Sequence, residues 1–208
     1  MARALVQGPD DARRRAGVLR GSSTRVRYDR TIIAYHGCGK TTADRILAGE
    51  PFEASDNDYD WLGSGIYFWE FGHDRALKWA EFQVTRNKFR KPAVVGAVIQ
   101  LGNCFDLLDT GSTAKLSGAY AAFLKSLPEG TVTPTNSGGA PDRKFRRLDC
   151  AVLNFYLKAL EEARHGYDSV RGAFIEGDAA FDGSDIKKDN HIQIAVRNPA
   201  CVLGVFRP

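Results

Sequence analysis

Methionine occurs once in the 208 residues, and histidine and cysteine four times each. The cysteines, Cys38, Cys104, Cys150 and Cys201, stand far apart without Cys-x-x-Cys spacing. That argues against a disulfide framework or a structural zinc site and suits reduced thiols of a cytoplasmic protein. Cys38 alone sits beside residues of interest and reads either as a small residue in a tight turn or as a reactive thiol. No apolar run approaches the roughly 18–20 residues of a membrane span, so no membrane partner is expected. The charged N-terminus lacks the apolar stretch of about 7–15 residues that marks a secretory signal. Neither Gly-x-Gly-x-x-Gly nor Gly-x-x-x-x-Gly-Lys-Ser/Thr occurs, which leaves ordinary dinucleotide and P-loop folds without support. No internal repeat and no metal-ligand spacing is evident, so no metal is expected.

What is present is ordinary for a globular chain: 43% hydrophobic and 26% charged residues, enough for one domain with its own core. The charge is unevenly placed. The chain carries +4 overall, yet residues 1–30 hold eight arginines against three aspartates, leaving the remainder close to neutral. Residues 1–24 lack periodicity, apart from a short helix expected near residues 11–19. They read as a basic arm, suited either to phosphates and acidic partners or to solvent. Residues 25–208 form the expected domain.

Within that domain, β-branched and aromatic residues over 25–36 predict a strand that ends at His36-Gly37. Residues 41–49 predict a helix stopped by Gly49. A short buried strand is expected over 63–69, then a helix from Asp74 through Phe82 or beyond, with Ala76, Leu77, Trp79, Ala80 and Val84 inward. Strands follow over 93–101 and 104–108, a helix over 114–127 and a Gly/Pro-rich loop over 128–141. Phe145, Leu148, Val152, Phe155 and Leu160 recur at helical spacing and predict a helix over 142–164, with His165 at its end. Strands over 172–176, 191–197 and 202–206 close the chain. Strands and helices do not alternate to the end, which favours an α+β domain over a doubly wound sheet.

Three elements carry possible chemistry. Tyr35-His36-Gly37 places an imidazole at a strand end beside a glycine that lets a ligand approach the backbone. Gly63-Ser64-Gly65-Ile66-Tyr67-Phe68 places a tyrosine on a short strand, its ring able to stack and its hydroxyl able to take one hydrogen bond. In His191-Ile192-Gln193, period-two alternation puts His191 and Gln193 on one face, with Ile192 and Ile194 toward the core. Each alone reads as well, or better, as packing or a solvated edge.

Together, in this order and spacing, the elements resemble the ADP-ribosyltransferase superfamily of the diphtheria toxin and poly-ADP-ribose polymerase type. The matching residues are His36-Gly37, Thr41, Thr42, Ile46-Leu47 and Gly49, then Gly63-x-Gly65-Ile66-Tyr67-Phe68 followed by Ala76 and Trp79. This block spans residues 32–80. The remainder aligns by element order only. The resemblance implies a split β-sheet cleft with flanking helices that holds NAD⁺ as substrate. His36 would bond the adenine-side ribose, the Gly37 backbone would hold the nicotinamide carboxamide, and Tyr67 would stack on the nicotinamide ring. Gly65 would permit close approach, and Trp79 would form a second aromatic wall.

Two positions depart from the family pattern. The late-strand glutamate is replaced by Gln193, which can orient a ribose hydroxyl but carries no charge and is no base. Glu176 or Asp178 could supply the missing carboxylate instead. The helix position where the polymerases hold a serine falls among His73, Asp74 and Arg75. The resemblance therefore implies single ADP-ribose transfer to a macromolecular acceptor, protein or nucleic acid, rather than chain elongation. The loop over 177–190 would help choose that acceptor. The family's frequent use as toxins suggests a toxin or defence effector with a neutralising antitoxin protein as partner. The alternatives are an NAD⁺ glycohydrolase on the same fold and a module that binds NAD⁺ or ADP-ribose without turnover.

Overall fold

The computed structural model describes residues 30–139 and 144–208. The basic arm, the helix expected near residues 11–19, residues 25–29 of the first expected strand and the segment 140–143 lie outside them.

Nine strands and four α-helices make up the described chain: β1 (Thr31–Gly39), α1 (Lys40–Leu47), β2 (Ile66–Glu70), α2 (His73–Thr85), β3 (Pro92–Gln100), β4 (Cys104–Asp106), α3 (Thr110–Ser126), β5 (Asn136–Ser137), β6 (Phe145–Arg146), α4 (Arg147–Glu162), β7 (Ser169–Phe174), β8 (His191–Val196) and β9 (Val202–Phe206). Seven strands form one mixed sheet in the order β4-β7-β8-β2-β1-β3-β9, and β5 and β6 form a separate ribbon. Only β4 and β7 run parallel, and the other neighbours in the sheet are antiparallel. The mixture of helix and strand agrees with the sequence reading. The strands, however, join one sheet rather than two. β1 and β2 hold the halves together through two paired positions, Ala34↔Glu70 and Tyr35↔Trp69, whereas β1 and β3 pair along the whole of β1.

Alternation along the strands sorts the helices into layers. Gly37 of β1 lies against Ala76 of α2. Ala195 of β8, the partner of Tyr67, packs with Leu153 and Leu157 of α4. Because Tyr35 pairs with Trp69, Gly37, Tyr67, Trp69 and Gln193 share the sheet face that α2 and α4 cover. The opposite face carries Ile32, Ala34, Ile66, Phe68, Ile99, Ile194 and Val196 in one buried cluster, and α1 packs there through Ala43 and Ile46 onto Cys38 and Val95. His36 belongs to this second face.

Several boundaries differ from expectation for local reasons. Helix α3 begins four residues early because the Asp109 carboxylate caps it, accepting from Gly111 N at 3.0 Å. Helix α4 begins at Arg147: Phe145 pairs with Ser137 in the ribbon and is exposed. Its buried stripe is Cys150, Val152, Leu153 and Leu157, so of the expected inner set only Val152 is fully inside. Gly49 does take a positive φ of 105° just beyond α1, as a helix stop requires. No helix among the described residues is long and apolar enough to cross a membrane.

Candidate functional site

The site begins where β1 and β2 part. Beyond Tyr35↔Trp69 the ladder would continue with His36 opposite Phe68. Instead the His36 side chain turns in, and its Nδ1 lies 2.8 Å from the Tyr67 carbonyl oxygen. A carbonyl only accepts, so Nδ1 carries the proton and Nε2 presents a lone pair. The ring stands edge-on to Phe52 and tilted to Phe68, with centroids at 5.3 and 5.7 Å. Burial among these rings lowers the His36 pKa, against the opposing pull of the Tyr67 carbonyl. A neutral imidazole is therefore fixed in one tautomer. Beside it, a cavity of about 190 Å³ is bounded by His36, Thr42, Arg45, Glu50 and Phe52 among others.

Tyr67 is held from the other side. Its hydroxyl donates to Gly63 O and accepts from Leu62 N, both at 2.9 Å. Burial, with the Asp60 charge as a second cause, pushes its pKa well above the ordinary tyrosine value. The phenol is thus a neutral group spent on the 60–65 turn, which leaves the ring rather than the hydroxyl for a ligand. That turn is clamped further: Asn154 Oδ1 accepts from Ser64 N at 2.9 Å, and Arg197 donates to Ser64 O at 3.1 Å.

The glycines have structural reasons of their own. A Cβ on Gly37 would stand 2.3 Å from the Ala76 carbonyl oxygen and 3.2 Å from Trp79 Cε3, so α2 can sit this close only on a glycine. A Cβ on Gly65 would stand 3.0 Å from Val196 O and 3.2 Å from Ala195 Cβ. On the side where a Cβ would point, each glycine is thus covered by protein. Trp79 does stand beside Gly37, and its ring lies 5.9 Å from that of Trp69.

Gln193 is half-buried on the face shared by Tyr67 and Trp69. Its Oε1 accepts from the Trp61 indole Nε1 at 2.5 Å. Trp61 rests over Gly172, the β7 partner of Gln193, and edge-on to Phe174 at 5.1 Å. His36 and Tyr67 are thereby joined to each other, while Gln193 lies on the far side of Trp69 and on the opposite sheet face from His36. The alternative carboxylate, Glu176, is 5% exposed and ion-paired to Arg75 at 2.8 Å and Lys144 at 2.5 Å. Burial works against its charge, but the two cations hold its pKa below the usual carboxylate range. Asp178 is exposed.

Around Gln193 the structure gathers further polar groups. Trp69 Nε1, Arg75 Nε and His191 Nε2 are buried without a hydrogen-bond partner. His191 stacks on Phe174 and bonds the Asp189 carbonyl through Nδ1 at 2.6 Å, and burial lowers its pKa. On the opposite face Arg171, 5% exposed, joins Glu70 at 2.5 Å and Asp106 at 2.9 Å, tying β7 to β2 and β4. Cys38 is buried, and its thiol is pushed up to about 11, which makes it an inert packing residue. No cluster of three or more metal-ligating side chains occurs among the described residues. Set against models of known families, curated proteins and solved structures, the chain matches none.

Proposed function

We propose that the chain is an ADP-ribosyltransferase-like enzyme that binds NAD⁺ across the break between β1 and β2 and transfers one ADP-ribose to a macromolecular acceptor. The carrying observation is the contact of His36 with Tyr67 where the ladder ends. Two motifs 31 residues apart meet there, at a place where a ligand can take up the backbone groups that the strands leave unpaired. His36 and Gln193 on opposite sheet faces fit such a ligand, because a dinucleotide passing through the break reaches both. In this reading the split sheet consists of β1-β3-β9 on one side and β2-β8-β7-β4 on the other.

His36 Nε2 would accept from a hydroxyl of the adenine-side ribose, next to the cavity beside Phe52. Its volume lies below the roughly 300–1,000 Å³ of whole-ligand pockets and suits only a fragment of the dinucleotide. Tyr67, Trp79 and Gly37 would bound the nicotinamide, with the Gly37 backbone at its carboxamide and Gly65 setting how close β8 lies. Gln193, fixed by Trp61, would orient the nicotinamide-side ribose. As the glycosidic bond lengthens, its electron pair leaves on nicotinamide, and orientation does most of the work. A neutral Gln193 offers no charge to the cationic ribose, and Glu176 is already compensated by Arg75 and Lys144. That pairing supports Gln193 over Glu176 in the third position and single transfer over chain elongation. It equally favours a second reading, NAD⁺ binding without turnover. Host toxicity with a neutralising protein partner is proposed from the resemblance, and a cytoplasmic location from the four scattered cysteines.

The test is calorimetric titration of NAD⁺ into the full chain with nicotinamide release followed alongside. Binding and release, both lost in Tyr67→Ala, support transfer or hydrolysis. Binding without release supports the second reading, and no binding refutes both.

A further inference from the structure

A second cavity, of about 420 Å³, lies on the α3/α4 side of the sheet and is untouched by the proposed NAD⁺ path. It is lined by aliphatic Leu116, Val152 and Leu153, by the aromatic Trp61 and Tyr120, and by the charged pair Arg146 and Asp149. Trp61 is common to both places: its ring lines this cavity while its Nε1 holds Gln193. Gly172 beneath it and Phe174 beside it keep the indole in place.

We propose that this cavity seats a base of a single-stranded nucleic acid, which makes nucleic acid the acceptor class. The inference rests on the ADP-ribosyltransferase reading, since it puts the base one side chain away from the residue that orients the reacting ribose. Two aromatic rings among aliphatic side chains suit a flat heterocycle, whose face stacks whatever its sequence. The volume falls in the range of small-ligand sites and holds a nucleoside. Arg146, held by Asp149 at 3.3 Å and over the Phe174 ring at 4.8 Å, is placed to meet the adjoining phosphate. The positive excess of residues 1–30 matches a polyanion. In the transfer, the bond from the ribose anomeric carbon to nicotinamide breaks and its electron pair leaves with nicotinamide. A nitrogen or oxygen of the nucleic acid bonds to that carbon and gives up its proton to water, because Gln193 takes none.

The test uses fluorescent single-stranded RNA and DNA of about ten nucleotides, of mixed sequence. Their binding is followed by anisotropy at fixed salt, and adenylate-labelled NAD⁺ is added in parallel. Leu116→Trp fills the cavity, and Tyr120→Ala removes a partly exposed ring with little risk to folding. Each should weaken oligonucleotide binding and labelling roughly tenfold or more, with NAD⁺ affinity unchanged. Unaltered binding and labelling in both variants would overturn the proposal, as would label entering protein while the oligonucleotides stay unbound. Oligonucleotide binding lost in both variants by a wild type that ignores NAD⁺ would sustain the base site and refute the NAD⁺ reading instead.

Discussion

Replacing Tyr67 with phenylalanine removes one oxygen and keeps the ring. That oxygen donates to Gly63 O and accepts from Leu62 N, each at 2.9 Å. Leu62 is fully buried, and Gly63 is buried too. A buried group left without its partner costs about 1–3 kcal/mol. With two such groups and some relaxation of the turn, Tyr67→Phe should destabilise the fold by about 2–4 kcal/mol. A chain of this size loses about 2–4 °C of Tm per kcal/mol, so the expected fall is roughly 4–16 °C. Differential scanning calorimetry with a parallel urea titration reads it. In the proposed reading NAD⁺ affinity should survive once the variant is held well below its Tm, because only the ring face meets the ligand. A Tm within about 2 °C of the native value would refute the hydroxyl's anchoring role. A stable variant that loses NAD⁺ affinity would move that hydroxyl from the turn to the ligand.

Arg171→Met should cost about 3–5 kcal/mol in urea unfolding, because Glu70 and Asp106 lose the buried cation between them. Adding Glu70→Gln should recover part of that loss, and a single variant as stable as the native chain would contradict the ion pairs. Gly37→Ala drives a methyl to 2.3 Å from the Ala76 carbonyl and should cost about 1–3 kcal/mol as α2 shifts; an unchanged Tm would contradict the close packing. His36 and His191 both have pKa values lowered from 6.5 by burial. The unfolded chain therefore binds more protons than the folded one once pH falls below about 6.5. Stability should be full above that value, fall as pH drops through it, and stop falling on their account below the folded pKa values. Urea midpoints at pH 7.5, 6.5 and 5.5 check this, with His36→Gln/His191→Gln expected to flatten the slope.

Element order was legible because periodicity is local. The strand at 202–206 lies where expected, and alternation put Ile194 of the 191–197 strand on the core side, where it is fully buried, while Ile192 is half-buried. The start of α4 was misplaced because Phe145 continues the 3.6-residue spacing, although a cross-strand partner, Ser137, takes it out of the helix. The meeting of His36 and Tyr67 lay in the sequence only through the paired motifs. Neither their spacing nor their periodicity says that a side chain replaces a ladder bond. Trp61 gave no signal at all: it is a loop aromatic whose partner, Gln193, stands 132 residues away. The glycines illustrate the opposite limit. Close approach was legible at Gly37 and Gly65, but what approaches them was not, since helix α2 and strand β8 meet them only in the fold.

The most direct test of the central claim is to incubate the full chain and a whole-cell lysate with NAD⁺ labelled on its adenylate phosphate, then separate protein, RNA and DNA and measure label in each. Label in one fraction, absent with Tyr67→Ala and reduced with Gln193→Ala, is the predicted result. Intact NAD⁺ with no label in any fraction would contradict the transferase reading.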